Sequence, residues 1–143
     1  MKTDEPTYIA FTPIELWRLG VKNSARLDKI RVPPRPPGAT VDVQTYERGG
    51  HVFVRAGTGG VSLFDGKNPR LDGIHWWRIP RNSPIPPELK ITKNHLDRST
   101  GLTHYRVELI VDMPLQLFVR LLSVFAGSAE RSFVVESERE VAK

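Results

Sequence analysis

The chain has no cysteine, which excludes disulfides, thiolate nucleophiles and every zinc site that needs sulfur. Its four histidines, His51, His75, His95 and His104, show neither HxxxH nor HxH spacing, so no metal site is expected. No apolar run reaches the ~20 residues of a spanning helix. The most hydrophobic stretch, Leu109 to Gly127, is broken by Asp112, Pro114 and Arg120 and reads as core, so membrane insertion is not expected. The opening Met-Lys-Thr-Asp-Glu-Pro lacks an apolar h-region, which predicts no secretory signal and a cytoplasmic location in the producing cell. Gly-x-Ser-x-Gly is missing as well. Phe64 stands where the second glycine would follow Ser62, so the strained elbow of a serine hydrolase is unsupported. No Gly-Lys-Ser/Thr follows the glycines to make a phosphate loop.

What is present describes a folded chain. At 143 residues with 39% hydrophobic residues and three Trp, it matches one domain, residues 1–143, with its own core. The net charge of +5 is modest, but Lys22, Arg26, Lys29, Arg31 and Arg35 form a basic band opposed only by Asp28. Such a band suits phosphate-rich ligands, nucleic acid or an acidic protein, and equally a solvated face. Two proline-rich stretches, Pro33 to Gly38 and Pro80 to Pro87, lack the donors for a helix or central strand and read as surface connections.

Between them the pattern is mostly extended. After an apolar opening at Tyr8–Phe11, strands are expected at Ile14–Leu19, His51–Ala56, Val61–Phe64 and His75–Ile79, with Asp65-Gly66 as a turn. A helix capped by Ser24 is expected over Ser24–Ile30. From Thr103 to Val111 the residues alternate. Thr103, Tyr105, Val107, Leu109 and Val111 share one face, and His104, Arg106, Glu108 and Ile110 share the other. Leu115, Phe118, Leu121, Leu122 and Phe125 then fall at helical spacing behind Pro114. The class is therefore α+β, a β-rich core of short strands with a few helices packed on it.

Four segments in order, Gly59-Gly60-Val61-Ser62-Leu63-Phe64-Asp65, Ile79-Pro80, Ile85-Pro86-Pro87-Glu88-Leu89-Lys90 and Thr103-His104-Tyr105, resemble the small cytotoxic effectors of type VI secretion systems. The resemblance runs from about Trp17 to Leu122. It implies an ADP-ribosyltransferase-like fold and an NAD-dependent mono-ADP-ribosyltransferase that poisons a competing cell. It also implies contact-dependent export without a signal peptide, hence contact with a secretion apparatus component, and a cognate immunity protein, expected to be acidic. Nucleic acid enters only as one conceivable acceptor. Leu16-Trp17-Arg18 resembles the family's first strand, making Arg18 the candidate clamp on the NAD phosphates. Ser62 becomes the second-strand residue, and His104 with Tyr105 the third element.

Elementary chemistry fills in the roles. Breaking the nicotinamide–ribose bond builds oxocarbenium character, which a nearby carboxylate stabilises. Glu108, placed near His104 by alternation and not by the resemblance, is the candidate. Ser62, His104 and Glu108 form the expected catalytic set. Gly59 and Gly60 let backbone N–H groups approach the ligand, and Tyr105, Trp76 or Trp77 can stack on nicotinamide. Each residue also has a plainer reading. Arg18 makes a surface pair, Ser62 and His104 are ordinary hydrogen-bonded strand residues, and Glu108 pairs with Arg106. Tyr105 and Phe64 belong to the core, and Asp65 serves its turn. Two rival functions remain: a basic toxin ribonuclease using His104 and Arg106, and a non-catalytic module binding nucleic acid through the basic band.

Overall fold

The alternation around Tyr105 becomes the middle of a large antiparallel sheet. The computed structural model describes residues 7–20, 24–34, 36–67 and 75–131. Its elements are β1 (Thr7–Tyr8), β2 (Leu16–Leu19), β3 (Thr45–Arg48), β4 (His51–Val54), β5 (Val61–Phe64), β6 (Trp76–Ile79), β7 (Leu89–Asp97), β8 (Leu102–Leu109), β9 (Met113–Pro114), α1 (Leu115–Ala126) and β10 (Glu130–Arg131). Seven strands form one sheet in the order β1-β7-β8-β5-β2-β6-β10, and β3-β4-β9 form a second. The α+β class is as expected, with one helix among the described residues where a few were anticipated. None of the described helical residues forms a span long and apolar enough to cross a membrane.

One face of the large sheet is apolar. Leu16, Ile79, Val61, Leu63, Val107, Leu109, Leu89 and Ile91 are fully buried there. They share a core cluster with Phe118, Leu122 and Phe125 of α1 and with Ala25, Leu27 and Val43. The helix itself lies against β4 and β9, so its apolar stripe closes the core from the side of the small sheet.

One expected element is missing and one unexpected strand is present, each for a local reason. No helix forms at Ser24–Ile30. The Ser24 hydroxyl accepts the Arg26 N–H at 3.0 Å, and Arg26 adopts φ +58°, so the serine closes a turn. The nine-residue β7 is unanticipated because Pro86 and Pro87 stand immediately before it and its alternation breaks at a bulge between Lys93 and Leu96.

The small sheet is tied to the end of β8 by Asp112, whose carboxylate accepts the Ala56 N–H at 2.7 Å and the Tyr46 hydroxyl at 2.8 Å. These two donors, the backbone one first, hold Asp112 below the usual carboxylate range. A lowered folded-state pKa contributes stability that is present above the unfolded value and disappears as pH falls through the folded one. Asp112→Asn should therefore be less stable than the parent at neutral pH, and the gap should close in acid below the ordinary aspartate range. Urea midpoints measured at pH 7 and pH 2.5 check this.

Candidate active site

Strand register decides which side chains meet. In an antiparallel pair, directly opposite residues point to the same face. Phe64 lies opposite His104, and Ser62 opposite Arg106. Arg106 also faces Thr92, and Glu108 faces Lys90 across the next strand. Ser62, Phe64, His104, Arg106, Glu108, Thr92 and Asn94 therefore share the face of the sheet turned away from the core. The expected juxtaposition of Ser62, His104 and Glu108 on one surface is what the register produces.

At its centre, His104 Nε2 lies 2.8 Å from the Ser62 hydroxyl, and Nδ1 lies 2.9 Å from the Asn94 amide nitrogen. The Phe64 ring sits 5.4 Å from the imidazole on one side and the His95 ring 5.7 Å on the other. Phe64 is only half buried, so it walls the site and does not belong to the core as expected. Glu108 is 6% exposed, with Arg106 Nη2 at 4.0 Å from Oε2. Its burial follows from Gly60: a Cβ there would collide with the Val107 carbonyl and the Glu108 side chain, so the glycine makes room for the carboxylate to lie across β5. Thr92 is 5% exposed, and its hydroxyl has no hydrogen-bond partner among the protein atoms.

Three other candidates sit differently from expectation. Trp17 lies opposite Phe64 and so points to the Ser62 face; Arg18, next along the strand, points to the core side. Its guanidinium reaches the Ser62 carbonyl with Nη1 at 2.9 Å and the Arg26 carbonyl with Nη2 at 3.0 Å. Burial draws Arg18 below its usual range, partly offset by Asp42, yet an arginine stays protonated throughout the working pH range. Arg18 thus reaches Ser62 through the backbone, not through the hydroxyl. Arg18→Met removes the part-buried donor to the Ser62 carbonyl and should destabilise the fold by about 1 kcal/mol, measurable as a lower urea midpoint. Tyr105 is 5% exposed on the core face, where burial raises its phenol above the usual range. Trp17 is the aromatic ring beside Phe64 on the Ser62 face, and Lys67 Nζ lies 5.5 Å from its ring centroid. Gly59, at φ +140°, has the Asp42 carbonyl where a side chain would begin, so its freedom serves chain packing.

Trp76 and Trp77 do point to opposite faces, Trp77 packing on the core. Asp65 does more than turn the chain: its carboxylate accepts the Thr103 N–H at 2.9 Å and extends the β5–β8 ladder. Lys22 and Arg35 lie outside the described residues. Of the rest of the basic band, Arg31 is bound by Asp42 at 2.7 Å, while Arg26 and Lys29 are exposed. Among the described residues no group of three or more His, Asp or Glu side chains is disposed to hold a metal ion. Sequence reasoning missed Asn94 and Thr92, because β7 itself was missed. A comparison with protein-family models finds no match, and neither does a comparison with curated protein sequences.

Proposed function

We propose that the chain is an NAD-dependent mono-ADP-ribosyltransferase with its active site on the Ser62 face. The observation that carries this reading is the 2.8 Å contact between the Ser62 hydroxyl and His104 Nε2, on the face that also presents Arg106 and Glu108. The residues suit the substrate. A pyrophosphate needs a planar guanidinium, and Arg106, opposite Ser62 in register, offers one on this face, so it takes the role first expected of Arg18.

In the reaction the bond between nicotinamide and the ribose C1 breaks, nicotinamide leaves with the bonding electrons, and an acceptor nucleophile bonds to C1 and gives up its proton to water. Glu108 stabilises the positive charge that develops on the ribose, as the second carboxylate does in glycoside hydrolysis. Ser62 and His104 orient the substrate across the carboxylate, and Trp17 offers a ring for nicotinamide. In its biological setting the protein is a toxin exported into the cytoplasm of a competing cell and neutralised in its producer by an acidic immunity protein, toward which the net charge of +5 speeds association.

A ribonuclease reading is favoured by one specific arrangement, His104, Arg106 and Glu108 in a row on β8. Incubating the purified protein with NAD and, separately, with cellular RNA distinguishes the two. The transferase releases nicotinamide and leaves RNA intact; RNA degradation without NAD, and no nicotinamide, overturns the proposal.

A further inference from the structure

The bulge in β7 has a chemical consequence. Lys93 pairs with Tyr105 and Leu96 with Thr103, so two residues, Asn94 and His95, stand against the single residue His104. The insertion brings the Asn94 amide nitrogen to 2.9 Å from His104 Nδ1, while Nε2 lies 2.8 Å from the Ser62 hydroxyl. An amide nitrogen can only donate. With the amide turned nitrogen-first, the Nδ1 it meets accepts, and a neutral imidazole then carries its proton on Nε2. That proton points at the Ser62 oxygen, which accepts it. The hydroxyl's own hydrogen is left to be given elsewhere.

We infer that Asn94 is a positioning residue that holds His104 in its Nε2–H tautomer, so that Ser62 serves the site as a hydrogen-bond donor to an acceptor oxygen of the substrate. Its significance for catalysis rests on the transferase reading; the tautomer itself does not. The arrangement is opposite in polarity to a nucleophilic serine, in which the imidazole accepts the hydroxyl proton and a carboxylate holds Nδ1–H. It gives Ser62 the work of binding and orientation, with a carbonyl or phosphate oxygen as its partner.

Asn94→Asp is nearly isosteric and tests this directly. A carboxylate accepts only, so it demands a proton on Nδ1 and turns Nε2 into an acceptor for the Ser62 hydroxyl. The tautomer is read by long-range nitrogen–proton NMR of histidine-labelled protein at pH 8, with His104→Gln used to assign the signal. The expected result is a proton on Nε2 in the parent and on Nδ1 in Asn94→Asp. The KM for NAD should then rise about tenfold in the variant, the size expected for one lost hydrogen bond to substrate. A parent proton on Nδ1, or a tautomer unchanged by Asn94→Asp, overturns the inference. Should the tautomer switch as expected while neither protein releases nicotinamide, the positioning role stands and the transferase reading falls.

Discussion

Ser62→Ala is expected to raise the KM for NAD about tenfold, the size expected for one lost hydrogen bond to substrate, and so to slow nicotinamide release at sub-saturating NAD by the same factor, while the protein unfolds at nearly the same temperature. Ser62 is half buried, and its side chain stands on the face turned away from the core. Alanine therefore creates no cavity in the core, and β-strand pairing keeps its backbone in place. What disappears is the hydroxyl at 2.8 Å from His104 Nε2. His104→Ala should produce a loss of the same order. Because the two groups act as one hydrogen-bonded unit, the double variant should be little worse than either single one. Steady-state nicotinamide release by the three variants provides the cycle. Independent, multiplying losses would separate the two side chains into unrelated roles.

Gly60→Ala should cost about 2–3 kcal/mol of stability. The added Cβ would meet the Val107 carbonyl, part of the β5–β8 ladder, as well as the Glu108 side chain. A flexible side chain can turn aside, but a paired backbone carbonyl moves only with its strand. The variant must open β8 from β5, and that seam carries Ser62 opposite Arg106 and Phe64 opposite His104. Activity should fall together with stability. The control is Gly57→Ala: Gly57 has φ +79° and nothing near its missing Cβ, so only backbone strain of about 1 kcal/mol is expected. Thermal unfolding of both variants gives the comparison, and equal losses would deny Gly60 its packing role.

The parts of this fold that could be read from sequence are those in which one local period dominates. Thr103 to Val111 alternates without interruption, and within β8 the two faces separate as expected, with Tyr105 and Val107 buried in the core and His104, Arg106 and Glu108 opposite, whereas Val111 lies beyond the strand and is exposed. The stripe from Leu115 to Phe125 has enough apolar residues at helical spacing to specify α1. Arg18 shows where this stops. Leu16-Trp17-Arg18-Leu19 contains one polar residue among three large apolar ones, so the alternation does not say which face is inside. Pairing with β5 and β6 decides, and it turns Trp17 outward and the arginine inward, onto two backbone carbonyls. Asn94 was hidden for another reason. A bulge shifts the period by one residue, and asparagine is a poor strand former, so local propensity argues against the strand that brings it to His104. Glycines beside Ser62 read as room for a ligand because their sequence does not show that Val107 and Asp42 already occupy that room.

On the transferase reading proposed above, NAD lies against the Ser62 face of the central strands. Titrating NAD into isotopically labelled Glu108→Gln protein, which keeps the Ser62 hydroxyl and loses the carboxylate that stabilises the ribose charge, measures this by chemical-shift perturbation. The account predicts the largest shifts at His104, Arg106 and Trp17, with the core-side residues Tyr105 and Leu63 little affected. Shifts confined to the basic segment around Arg26 and Lys29, or none at millimolar NAD, would contradict it.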